Sequence, residues 1–367
     1  MVNPFQYQRP LDPARLIDRR DELDALQRAA SDRVAIRLAS PRRYGKTTLL
    51  GAHLAAMRAA GHHACLIDFD RVATVSDAAD RIVDGLRELP GIGSGALEGR
   101  LARLGLTVGP AGVQLKVAPR SARTSLGPDE ARAAIRDLLQ LPADLADGGD
   151  LVIVAMDEFQ DLLTADDHLD GLLRSVIQHH ADRVAYLFAG SAPSLMRRLF
   201  TDRERPFFGQ ARPLDLPPLP IEETTREVHA LMPAGATAEL TARIVATADG
   251  HPQRTMLLAH HLYDVLDRAE DVPDPAQVAL DRSVAEGADV CQAIWSGFSR
   301  NERAVVAALA DGRSPVSTAA AAEHGLARST LQSVTERLVE DGQHVVRAAD
   351  GRIRLLDPIL GEWLRRR

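Results

Sequence analysis

Two short stretches carry the residue types and spacing that could do chemistry. Ser40-Pro41-Arg42-Arg43-Tyr44-Gly45-Lys46-Thr47 matches the phosphate-binding pattern G-x-x-x-x-G-K-S/T, except that Ser40 stands where the pattern has its first glycine. In such a loop, backbone N–H groups and the positive end of the following helix cradle phosphates. The lysine reaches the β- and γ-phosphates, and the hydroxyl of the last residue binds Mg²⁺. The expected phosphate contacts are therefore Ser40, Pro41, Arg42, Arg43, Tyr44, Gly45, Lys46, Thr47 and Thr48, with Thr47 also a metal ligand. Composition singles out the lysine: of 44 basic residues only Lys46 and Lys116 are lysine. A compact ammonium suits a cramped phosphate site better than a planar guanidinium, which explains a lysine kept in an arginine background.

The second stretch is Leu151–Glu158 (LVIVAMDE), an apolar run ending in two carboxylates. Ligand sites of parallel sheets lie at the carboxyl ends of strands. There Asp157 is expected to hold Mg²⁺ through water, and Glu158 to orient and deprotonate an attacking water. Gly190-Ser191 ends another apolar run, so Ser191 is a candidate contact to the γ-phosphate or to that water. The histidines, including His62-His63 and His260-His261, lack the spacing of metal ligands.

Positioning these groups requires an α/β layer. Arg33–Ala39 reads as a strand, and the Leu49, Leu50, Leu54 and Met57 stripe after the loop as a helix. His62–Asp70, Leu151–Met156 and Val184–Ala189 read as further strands, and continuous apolar strands alternating with helices indicate a parallel sheet covered on both faces. Arg212–Leu219 reads as a last edge strand ended by prolines. Between the second and third strands lies an insertion with a hairpin pattern at Leu106–Val108 and Val113–Val117 and a helix at Pro128–Leu141; no chemistry attaches to it. Helical periodicity then takes over at Ile221–Leu231, Ala238–Ala248 and Arg254–Leu266, with Asp271–Pro275 as a linker. From Ser299 onward, three helical patterns precede two short strands, Gln343–Arg347 and Arg352–Leu356, the order of a winged helix-turn-helix.

Taken together, these motifs resemble the archaeal-type ATPase family of the AAA+/STAND group along nearly the whole chain. The resemblance rests on Asn3-Pro4-Phe5 and Asp18–Leu23 at the entry, Pro41–Thr47, Asp157-Glu158-Phe159-Gln160, Gly190-Ser191, Gly250-His251-Pro252, and Asp357-Pro358 with Trp363-Leu364-Arg365. It implies an α/β P-loop NTPase (AAA+/STAND-like) with a parallel sheet, a helical lid and a C-terminal winged-helix domain. The boundaries expected are 1–220 for the nucleotide-binding domain, 221–285 for the lid and 286–367 for the winged helix. It further implies an entry segment near the adenine, Pro252 as a nucleotide contact, and Arg254 as a lid sensor toward the γ-phosphate. Besides Ser40, one departure is Gln210, where the family pattern leads us to expect an arginine after Gly209. Arg205 and Arg212 are the alternatives for an arginine finger.

Composition limits the rest. The net charge is −7, opposing a protein that coats nucleic acid. From Val290 to Arg367 the chain has 11 arginines against 9 acidic residues, a thin footprint for DNA. Cys65 and Cys291 have no ligand or disulfide spacing and read as buried thiols. No apolar run of about 18 residues suggests a membrane span, and Met1–Gln8 lacks the regions of a signal peptide, so a cytoplasmic protein without a membrane partner is expected. Two functions emerge. One is an ATP- and Mg²⁺-dependent hydrolytic switch that acts on a protein partner through its winged helix. The alternative is an ATP-gated DNA-binding protein with slow hydrolysis. A G-specific N-K-x-D motif is not present, which favours ATP, and the Walker-type glutamate disfavours a small-molecule kinase.

Overall fold

The computed structural model describes residues 2–9, 16–89, 94–103, 106–109, 112–115, 126–146, 151–180, 182–348 and 350–367. The chain groups into two compact units. One comprises Arg19–Ser40 and Lys46–Leu216, the other Met1–Asp18, Pro41–Gly45 and Pro217–Arg367.

The first unit is built on strands β1 (Ile36–Ala39), β2 (His63–Asp68), β3 (Leu106–Gly109), β4 (Gly112–Leu115), β5 (Val152–Asp157), β6 (Val184–Gly190) and β7 (Arg212–Asp215). Among the described residues, five of them form a sheet in the order β2-β5-β6-β1-β7, and every pairing in it is parallel. Every residue of β5 and β6 is buried, as their unbroken apolar sequences require of strands covered on both faces. β7 is short, mostly exposed and carries Pro213, which suits an edge where no further strand pairs. β3 and β4 pair antiparallel, as the hairpin pattern predicts; Pro110, Ala111, Lys116 and Val117 of that pattern lie outside the described residues. The register brings Asp68 opposite Asp157, and Ala39 opposite Gly190. The carboxyl ends of four strands thus share one edge.

The second unit is helical. Ile221–Ala230, Ala238–Ala248, Pro252–Asp267 and Pro275–Gly297 pack around Val228, Ile244, Val245, Leu257, Leu258, Leu262 and Cys291. Phe5 and, from the helix Pro358–Arg365, Ile359 and Leu360 join this core. The start of the chain is tied down here: Asn3 Nδ2 donates to the Asp264 carboxylate at 2.7 Å and to the His260 carbonyl at 3.0 Å. A separate core contains Phe298, Val305, Val306, Leu331, Leu338 and Val345. It is formed by the helices Arg300–Ala310, Thr318–His324 and Arg328–Asp341, followed by the antiparallel strands β8 (Val345–Arg347) and β9 (Ile353–Leu355). Ala349, in the turn between those strands, lies outside the described residues.

Asp271–Asp274 is a non-helical connection, as the linker reading expects, and Pro275 opens the helix Pro275–Gly297, 23 residues long. Asp274 caps it by accepting from Gln277 N at 3.1 Å, and Pro275 occupies the first turn, where a missing N–H costs nothing. This helix runs straight through 285/286, where sequence reading put a boundary.

Three buried histidines link this packing to pH. Burial pushes His53, His180 and His251 each down to about 4 from the ordinary value of 6.5. Between those values the unfolded chain binds protons that the folded chain refuses, so stability is complete above pH 6.5 and falls as the pH drops toward 4. The denaturation midpoint should decline through this window, and a His53→Leu variant, whose parent ring has no hydrogen-bond partner, should decline less steeply.

Candidate functional site

Lys46 opens the helix Lys46–Ala59 directly after the Ser40–Gly45 loop, and Asp157 and Glu158 lie at the end of β5. The structure joins them. The Lys46 ammonium, 5 % exposed, forms ion pairs with Asp157 Oδ1 and, at 3.1 Å, with Glu158 Oε1. Thr47 Oγ1 donates to Asp157 Oδ2 at 2.9 Å. Burial works to strip the lysine of its proton, but the charges of Asp157 and Glu158 prevail and raise its pKa. For Glu158, burial acts upward, and is outweighed by the charge of Lys46 and by hydrogen bonds from Gln160 and Ser191, which hold the carboxyl below its usual range.

Ser191, just past β6, donates to Glu158 Oε2 from both its hydroxyl (2.7 Å) and its amide (3.1 Å). Because β6 lies between β5 and β1 in the sheet, its end faces both the acidic strand and the start of the loop; Ser40 N donates to the Gly190 carbonyl at 3.3 Å. Ser40 is buried and is not among the residues with positive φ, so serine in place of the first glycine brings no strained backbone. The left-handed positions of the loop are Arg43 (φ 67°) and Gly45 (φ 83°) instead. Thr48 is buried, Arg42 exposed.

Of the sequence-predicted set, Lys46, Thr47, Asp157, Glu158 and Ser191 come together in the first unit. Arg254 has a different surrounding, within the second unit. Only 3 % exposed, its guanidinium makes a two-pronged pair with Asp357, with Nε at 2.9 Å from Oδ1 and Nη2 on Oδ2. It is thus committed to a carboxylate in the structure. Pro252 sits in the first turn of the helix Pro252–Asp267, which His251 caps through Nδ1, and the His251 ring lies 5.0 Å from that of Tyr44. Gly250 precedes them at φ 71°, and a side chain there would meet the Leu219 carbonyl oxygen at 2.7 Å, so glycine is required at the bend. Arg205 pairs with Asp167 at 2.8 Å, while Arg212 stays exposed on β7.

Sequence reading missed two residues. Gln160 is 4 % exposed and donates to Glu158 Oε2 at 2.7 Å; an amide two residues after Glu158, in the motif already noted, was the available signal. Asp357 was noted only as part of a terminal motif. Aspartate before proline at a helix start marks a cap, and it does accept from Ile359 N at 2.9 Å, but nothing local points to Arg254, 103 residues away.

No protein-family model and no curated protein matches this sequence. Solved structures do. A Walker-type ATPase of Pyrococcus abyssi superposes with a TM-score of 0.69 at 17 % identity, covering 98 % of this chain and 99 % of that one. The ORC2 protein of Aeropyrum pernix, in ADPNP-ADP complexes, gives 0.62 at 15 % identity over 100 % and 97 % of the two chains. Its ADP form gives 0.55 at 14 %, over 98 % and 97 %. The fold is that of a P-loop NTPase. Within it, Ser40–Gly45 lies between β1 and the helix Lys46–Ala59, and the acids stand at the carboxyl end of a parallel strand, the end at which parallel sheets bind ligands.

Thr47 and Asp157 offer hard oxygen donors 2.9 Å apart beside a net negative charge. Mg²⁺ takes one or two carboxylates plus waters and phosphate oxygens in preference to an all-protein cage. Among the described residues there is no group of three or more His, Cys, Asp or Glu able to hold a metal. No helix among them is long and apolar enough to cross a membrane.

The Arg254–Asp357 pair yields a test. Burial acts to raise the Asp357 pKa, but Arg254 prevails and holds it below the ordinary carboxylate value. The stability it contributes is therefore present above about pH 4 and lost as the pH falls through the lower folded value. Asp357→Asn should destabilise the protein by about 3 kcal/mol at pH 7, because it strands a buried guanidinium. Denaturant titrations should show the gap from wild type closing below pH 4.

Proposed function

We propose that the chain is an ATP-binding and hydrolysing switch of the AAA+/STAND type. It uses ATP with Mg²⁺, and its nucleotide state is coupled to a C-terminal winged helix that acts on a protein partner. The observation carrying this reading is the convergence of Lys46, Thr47, Asp157, Glu158 and Ser191 at one sheet edge. Phosphate oxygens compete with Asp157 and Glu158 for the Lys46 ammonium. Once Lys46 turns to a phosphate, Glu158 Oε1 is released to accept a proton from water while Ser191 keeps the carboxylate in place. Thr47 and, through water, Asp157 would hold Mg²⁺, which would supply charge neutralisation at the phosphates. Ser40, Pro41, Arg42, Arg43, Tyr44, Gly45, Thr48 and Pro252 line the nucleotide in this reading, and the fold shared with nucleotide complexes of ORC2 supports it.

Three functional parts follow: a nucleotide-binding domain to about residue 220, a helical lid, and a winged helix. We place the last boundary at Phe298, since a continuous helix crosses 285/286. Arg254 serves as a sensor by exchanging Asp357 for nucleotide.

The alternative, ATP-gated DNA binding, draws on the exposed Ser329, Gln332 and Ser333 of the helix Arg328–Asp341. The arginines there weigh against it. Arg337 pairs with Glu302 at 3.0 Å, Arg347 with Glu336 at 2.8 Å, and Arg328 donates to the Val316 carbonyl at 3.0 Å. Internally paired guanidinium groups release few counterions on meeting phosphates.

Mg²⁺-dependent ATP hydrolysis and binding by the purified protein test these roles. Lys46→Ala should lose both, whereas Glu158→Gln should keep ATP binding and lose about 10²-fold or more in kcat. Stimulation by duplex DNA that falls steeply with salt would instead establish the DNA-gated alternative.

A further inference from the structure

Gln160 stands in the motif that follows β5, but the sequence reading gives its side chain no part in phosphate binding or hydrolysis. Its Nε2 donates to Glu158 Oε2 at 2.7 Å and to Asp161 Oδ1 at 2.9 Å. Its Oε1 is buried and meets no donor. An unmet buried carbonyl costs about 1–3 kcal/mol, which an apolar side chain of the same length would avoid, so packing alone gives no reason for glutamine.

The backbone on both sides is adapted to this amide. Glu158 itself takes a left-handed conformation, φ 49° and ψ 40°, an uncommon choice for a residue with a side chain. The turn Phe159–Asp161 follows, closed by Asp161 N donating to the Glu158 carbonyl at 2.9 Å, and it brings Gln160 back to the Glu158 carboxylate. Across from it, β6 has glycine: a Cβ on Gly190 would lie 2.1 Å from Gln160 Oε1.

The donors around Glu158 divide unequally between its oxygens. Oε2 receives Gln160 Nε2, Ser191 N and Ser191 Oγ, while Oε1 receives Lys46. We infer that Gln160 is a positioning residue for hydrolysis: with Ser191 it pins Oε2, so that Oε1 is the oxygen presented to the reacting water. This rests on the ATPase reading above. Gln160 bonds Glu158 directly, and its proposed effect on hydrolysis runs through that carboxylate.

Gln160→Met keeps the length and removes the donor. Its kcat for Mg²⁺-ATP should fall about 10- to 100-fold with KM within about twofold of wild type and no loss of thermal stability. In a Glu158→Gln background the same substitution should change the residual rate by less than twofold, since the group it positions is gone. Gln160→Leu serves as the second donorless variant should the methionine protein fold poorly. A raised KM with unchanged kcat, or the same fold-loss in the Glu158→Gln background, would overturn the positioning role and leave the ATPase reading standing. A wild type that does not hydrolyse ATP would overturn both.

Discussion

Two carboxylates at the end of a fully buried strand cannot stay ionised without a cation, since each charge taken from water costs several kcal/mol. Lys46 supplies that cation, and the rest of the sheet edge is arranged around its reach. Asp157 and Glu158 end β5, Lys46 follows β1, and β6 separates the two strands. The ammonium therefore spans the place where Gly190-Ser191 emerges, and Ser191 turns both of its donors onto the acid that Lys46 also holds. Thr47 takes the remaining oxygen of Asp157. A longer, forked guanidinium would need more room than these neighbours leave, which accounts for a lysine in a chain that otherwise relies on arginine.

The second unit repeats the principle with opposite geometry. There a buried guanidinium is met by a single carboxylate, and Asp357 does two things at once: it pairs with Arg254 and caps the helix Pro358–Arg365. One side chain thus fixes both the charge balance of the helix Pro252–Asp267 and the direction in which the last helix leaves β9. His251, buried and neutral nearby, adds no compensating charge.

How much of this could be read beforehand follows from the range of each interaction. The strands were legible because β2, β5 and β6 are largely apolar runs, and the Ser40–Thr47 pattern because its residues are consecutive. Lys46, Asp157 and Glu158 were expected together because the loop carrying Lys46 follows one strand's carboxyl end and the two acids end another, places that sequence alone marks. The helix Pro275–Gly297 was not legible: its opening prolines read as breakers although one of them was a first-turn residue, and its buried positions, Ala276, Ala279, Ser283, Gly287 and Cys291, are mostly too small to form an apolar stripe. Arg254 was noticed and its partner was not, since a pairing across 103 residues leaves no local trace. Gln160 lay in plain view beside the acids, but its meaning depends on Gly190, which only the sheet order brings to it.

The helix Pro275–Gly297 also settles how the C-terminal bundle is mounted. Ile294 near its end, and Leu364 in the final helix, each pack against both hydrophobic cores of the second unit. The bundle is therefore not a bead on a string. It is clamped at two points, like a beam fixed by a pair of bolts, and a twist applied to one core must either bend the long helix or slide Leu364 out of its seat. A rigid mounting of this kind favours transmission of small rotations over free swinging.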